Sequence, residues 1–160
     1  MDRKLKVLIA GTGFAGQGHA DAFRGAGAEV VGIVGRTASV VAEVAARLAI
    51  PCSGTDWRQA LEACRPDIVS IATPGGAHYE AIAQAIEFGC HVFSDKPLTA
   101  SGETAVELYR LAQRKGVNTA YAASFRYAPS VLHARQLVAD GAIGKAPRSF
   151  RKQRRRPLLA

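Results

Sequence analysis

The chain has 160 residues, 48 % hydrophobic and 21 % charged, which reads as one soluble globular domain with room for a real core. No apolar run approaches a membrane span, and Lys6 interrupts the apolar stretch behind the basic N-terminus, so neither a bilayer helix nor a secretory leader is expected and the reading is cytoplasmic. The net charge of +8 says little about nucleic acid: Arg148, Arg151, Lys152, Arg154, Arg155 and Arg156 carry six positive charges, and the rest of the chain, with fifteen basic and thirteen acidic residues, is near neutral.

In chain order, "LKVLIAG" is a short apolar run ending in glycine and predicts a buried strand. "FAGQGHADAFRGAG" predicts a helix closed by glycines, "EVVGIVG" a second strand, and "SVVAEVAARLA" a helix that ends before Pro51. "DWRQALEAC" follows as a helix with Asp56 as its cap, then "DIVSIAT" as a strand stopped at Thr73-Pro74. "AHYEAIAQAIEFG" is a helix, "HVFSD" a strand, and "SGETAVELYRLAQRKG" a helix with Ser101 as N-cap and Gly116 past its end. "VNTAYAA" is a further short strand, and "PSVLHARQLVADG" a last helix with proline at its start. Alternation of this kind predicts an α/β fold: a doubly wound, mostly parallel sheet of Rossmann type in three α/β/α layers.

Cys52, Cys64 and Cys90 are odd in number, contain no CxxC pair, and read as reduced, mostly buried thiols. His19, His78, His91 and His133 lack metal-ligand spacing, so no metal site is expected.

The first turn carries the chemistry. "GTGFAG", residues 11 to 16, fits G-x-G-x-x-G between the first strand and the first helix, the context that makes it a dinucleotide fingerprint. Gly11 permits the tight turn, Gly13 lets a pyrophosphate approach the backbone, and Gly16 lets helix and strand pack closely, with Phe14 and Ala15 completing the loop. The helix N-terminus offers unpaired N–H groups to the anion. At the end of the second strand, where NAD sites carry an acid, this chain has Arg36 and Thr37, which suits a 2′-phosphate. The expected cofactor is therefore NADP, with NAD as the alternative.

Three further segments, "VSIATPGGAH" (69–78), "GCHVFSDKPLT" (89–99) and "SFRYAP" (124–129), followed by "LVADGAIGK", resemble the glucose–fructose oxidoreductase / inositol dehydrogenase family, Gfo/Idh/MocA, from about Leu5 to Lys145. The family's E-K-P motif falls on Asp95, Lys96 and Pro97, and its T-P-x-x-x-H motif on Thr73, Pro74 and His78. The resemblance implies an NAD(P)-dependent oxidoreductase acting on a sugar- or polyol-like small molecule. It makes Lys96 the catalytic residue, which would assist removal of the alcohol proton. Its cofactor contacts fall on Gly11, Gly13, Phe14, Ala15, Gly16, Arg36, Thr37, Ala72, Thr73, Pro74, His78, Asp95 and Lys96. His78 matches a cofactor-proximal histidine and reads equally as a helix-start histidine with a structural bond. Arg126 and Tyr127 match a cleft-lining segment.

Three departures stand out. Asp95 replaces glutamate, Gly75 replaces a common asparagine, and the chain ends where the family continues into a second α/β domain. The expected organisation is a dinucleotide-binding domain over 1–123, a junction segment over 124–147 leading to a missing substrate domain, and a disordered basic tail over 148–160. The tail "RKQRRRPLLA" reads as a frame slip or truncation product. Little turnover is then expected from this chain alone. The alternative reading is a non-catalytic dinucleotide-binding module or redox sensor acting with a partner chain. Self-association through uncovered apolar surface near Phe125 and Tyr127 is expected, with no specific nucleic acid and no membrane as partner.

Overall fold

The computed structural model describes residues 3–144. Six strands form one sheet: β1 (Lys6–Ala10), β2 (Glu29–Val34), β3 (Cys52–Gly54), β4 (Ile68–Ile71), β5 (His91–Ser94) and β6 (Thr119–Tyr121). Their order is β3-β2-β1-β4-β5-β6 and every neighbouring pair is parallel. Helices α1 (Phe14–Gly25), α2 (Ala38–Arg47), α3 (Trp57–Cys64), α4 (His78–Glu87) and α5 (Gly102–Lys115) make the crossovers.

The strands are apolar runs because helices cover both sides of the sheet. Val7, Ile9, Val30 and Ile33 pack with Ala20 of α1 and Val41, Val44 and Ala45 of α2. Leu8, Ala10, Val31, Val34, Val69 and Ile71 pack on the other side with Leu61 of α3, Ile82 and Ile86 of α4, and Leu108 of α5. Leu8, Ile9, Ile33, Ile71, Ile82 and Ile86 are fully buried, and each contributes about 1.5–3 kcal/mol by leaving water.

The helix ends follow the sequence signals. Asp56 accepts a hydrogen bond from the Gln59 N–H at 2.9 Å and starts α3, a cap worth ~1 kcal/mol. Ser101 accepts from the Thr104 N–H at 3.2 Å and starts α5, and Gly116 closes that helix at φ 67°. The strand β3 was not predicted. Its three residues, Cys-Ser-Gly, are mostly exposed and form no apolar run, so only its pairing with β2 defines it.

The chain divides into two units between Ala122 and Ala123. The first holds the sheet and α1 to α5. In the second, a 3₁₀ turn (Ser124–Tyr127) precedes α6 (Pro129–Ala139), whose first residue is the proline. Among the described residues no helix is long and apolar enough to cross a membrane. The basic stretch over 148–160 lies outside the described residues.

Candidate functional site

The strand order reverses between β1 and β4, the place where a parallel sheet opens a crevice beyond its carboxyl ends. The loops that leave β2, β1, β4 and β5 therefore lie side by side there. They carry Arg36 and Thr37, the glycine loop, Ala72 to Pro74, and Asp95 to Lys96.

The glycine loop is shaped by what glycine omits. Gly11 has φ +117°, and a Cβ on it would sit 2.4 Å from the carbonyl oxygen of Ala72. A Cβ on Gly16 would sit 2.0 Å from the carbonyl oxygen of Gly11, so α1 can start this close to the turn only with glycine there. Gly13 differs: its Cβ would meet nothing within 4 Å. It is the N-cap of α1, no side chain caps that end, and the first turn holds no acid. The orphan N–H groups and open space fit a pyrophosphate. Ala15 is half-buried in the turn, and Phe14 beside it is 96 % exposed.

On the β2 side, Arg36 and Thr37 are exposed. Arg36 lines a groove of about 250 Å³ with Thr55, Trp57, Thr73 and Glu80. Thr55, Trp57 and Glu80 were not singled out from the sequence, because the β3–α3 junction and α4 are brought to Arg36 only by the fold.

On the β4 side, the Ala72 N–H donates to the Ala10 carbonyl at 2.7 Å. The Thr73 hydroxyl is buried without a partner. Pro74 leads through a short 3₁₀ turn (Gly75–Ala77) into α4. His78 is fully buried. Its Nδ1 lies 2.6 Å from the Pro97 carbonyl oxygen and its Nε2 lies 2.6 Å from the Thr73 carbonyl oxygen. Its imidazole thus sits behind the loops, holding backbone.

On the β5 side, the Asp95 N–H donates to Ile71 at 2.8 Å, and the Asp95 carboxylate accepts from the Lys96 N–H at 2.7 Å. The Lys96–Pro97 peptide is cis. Lys96 is exposed, and among the described residues its ammonium enters no hydrogen bond or ion pair. Below this loop His19 Nδ1 lies 2.9 Å from Ser70 Oγ, with the Phe93 ring edge-on at 5.2 Å. Burial pushes the His19 imidazole below its ordinary value, and the charge of Asp95 works against that shift. Arg126 and Tyr127 belong to the second unit, where the guanidinium lies 5.8 Å from the tyrosine ring centre. Among the described residues no group of three His, Cys, Asp or Glu is placed to hold a metal ion.

A doubly wound sheet with a glycine-built, uncapped helix start at its switch point defines a dinucleotide-binding Rossmann fold. The GFO_IDH_MocA model, described as "Oxidoreductase family, NAD-binding Rossmann fold", matches residues 5–123, and the chain belongs to this family. It is similar to levoglucosan dehydrogenase of Pseudarthrobacter phenanthrenivorans, 32 % identical over 152 residues, covering 89 % of this chain and 39 % of that protein. It is similar to D-xylose 1-dehydrogenase (NADP(+)) 2 of Haloferax volcanii, 30 % identical over 124 residues, covering 76 % and 38 %. Among solved structures it resembles GenD2 from gentamicin A biosynthesis in complex with NAD, with TM-score 0.83, 31 % identity, and coverage of 89 % and 41 %. The chain thus spans about two fifths of the length of these relatives.

Proposed function

We propose that this chain holds a nicotinamide dinucleotide as part of an oxidoreductase acting on the CH–OH group of a sugar- or polyol-like substrate. The observation that carries this is the convergence of four adjacent strand ends, with an uncapped helix start at the centre and a free lysine at one side. The N–H groups of the 11–16 loop would hold the pyrophosphate. Ala72, Thr73 and Pro74 would line the floor. When bound, the nicotinamide supplies hydride exchange with the carbon bearing the hydroxyl. Lys96 Nζ is the group left to take the proton of that hydroxyl, or to return it in the reverse direction. Because the chain covers about two fifths of the length of its relatives, little turnover is expected from this chain alone.

NADP is the preferred form. No acid stands at the end of β2 to repel a 2′-phosphate, and Arg36 and Thr37 offer donors there. Glu80 lines the same groove and opposes the phosphate. A hydrogen bond to a charged group is worth about 1.5–3 kcal/mol, and with Glu80 opposing it NADPH should bind about tenfold more tightly than NADH. Nicotinamide fluorescence titration with each nucleotide is the test. Arg36→Ala should weaken NADPH alone, and Glu80→Gln should strengthen it. Equal affinities in the wild type would show Arg36 to be a solvated strand-end residue. The second reading, a non-catalytic binding module, predicts nucleotide binding with no hydride transfer across a panel of polyols, even when the remaining domain of a relative is supplied.

A further inference from the structure

We propose that His78 is the positioning residue for Lys96: its buried imidazole ties the loop that carries the lysine to the loop that leaves β4. This rests on the role given to Lys96 above.

His78 opens α4 with 0 % of its surface exposed. Its two ring nitrogens lie 2.6 Å from the carbonyl oxygens of Pro97 and Thr73, one on each loop. Carbonyl oxygens only accept, so the ring is the donor in whichever bond forms, and a neutral ring has one N–H to give. A second contact joins the same loops. A Cβ on Gly75 would lie 3.0 Å and 3.1 Å from Cγ and Cδ of Pro97, so the proline ring fills the place where a side chain would start.

The backbone around Lys96 is thereby held at three points. Asp95 N–H donates to Ile71, Lys96 N–H donates to the Asp95 carboxylate, and the Pro97 carbonyl faces His78. Proline has no N–H, so no donor in this stretch is left over. Among the described residues the lysine ammonium itself enters no hydrogen bond or ion pair. A group that must sit at a fixed place for chemistry is held there by supporting contacts of this kind.

Substitution can separate the two contacts. Asparagine places its amide N–H near Nδ1, glutamine places one near Nε2, and phenylalanine has neither. In the full chain, the Lys96 backbone amide should show an order parameter near ~0.85 in the wild type and below ~0.6 in His78→Phe and His78→Gln, returning in His78→Asn. NADPH is added at saturation to each variant, so that a change in its affinity does not enter the Lys96 reading. The shift that saturating NADPH causes in the Lys96 side-chain carbon signal should fall in Phe and Gln and recover in Asn. A merely structural histidine would lower the melting temperature alike in all three variants while leaving the Lys96 signal's response intact. That result, or a Lys96 amide equally rigid in Asn and Gln, overturns the proposal, and the Asn–Gln comparison stands if the phenylalanine variant does not fold. A wild type that binds no nicotinamide nucleotide would sink the proposed function, and amide relaxation would still decide whether His78 holds Lys96.

Discussion

The two ends of the sheet treat polar groups in opposite ways. At the amino end, Asp67 accepts from both terminal nitrogens of Arg3, at 2.7 and 2.9 Å, and from the Lys6 N–H at 2.8 Å. Lys115 pairs with Glu87, and His91 accepts from the Asn118 N–H at 3.0 Å. At the carboxyl end, the start of α1 has no side-chain cap, the Thr73 hydroxyl is buried without a partner, and Lys96 and Arg36 are exposed. One fold thus closes its polar groups on themselves at one edge and leaves them open at the other. Buried or clustered polar groups normally find partners, so the open edge is where a ligand would complete the set.

The largest effects are expected within the glycine loop itself. Gly16→Ala drives a Cβ to 2.0 Å from the Gly11 carbonyl oxygen and should cost about 3 kcal/mol or more, through overpacking against backbone. Gly13→Ala meets nothing within 4 Å, so its stability should stay within about 0.5 kcal/mol, while nucleotide affinity falls by about tenfold or more as the Cβ enters the phosphate space. Denaturant melts and nucleotide titration check both. A Gly13→Ala protein that binds as the wild type does would show that the open space is only solvent.

A smaller effect is expected at the closed edge. The hydrogen bond from Arg3 is the main cause holding the Asp67 carboxyl below its ordinary value, aided by the Lys6 N–H and opposed by burial. A depressed carboxylate adds stability that is fully present above its unfolded pKa and lost as pH falls through the folded one. Asp67→Asn should therefore lower the melting temperature at neutral pH by roughly 3 °C, a modest loss because the pair is exposed. The gap between the two proteins should close below about pH 4. Nucleotide affinity should not change. Thermal melts from pH 2 to 7 read the first two points, and a gap independent of pH would place the effect outside the ion pair.

Much of this division was legible in the sequence where the signal is local. Gly11, Gly13 and Gly16 mark the turn by spacing, and Asp56, Ser101, Gly116 and Pro129 mark helix ends, because caps act over a few residues. β3 was not legible, since Cys52 to Gly54 form a strand only by pairing with β2. The bond between His19 and Ser70 spans 51 residues of sequence, and that between Arg3 and Asp67 spans 64. No spacing rule reaches so far. His78 read equally as a cofactor-proximal and as a helix-start histidine, and its hold on Pro97, 19 residues on, appears only when β4 and β5 are seen as neighbours.

Backbone amide shifts on NADPH addition decide whether the dinucleotide sits at the carboxyl edge alone. Shifts should concentrate at residues 11–16, 35–37, 72–78 and 95–98, with the amides of Arg3, Lys6, Asp67, His91 and Asn118 unmoved. Absent shifts, or shifts centred on the Arg3–Asp67 edge, would contradict that placement.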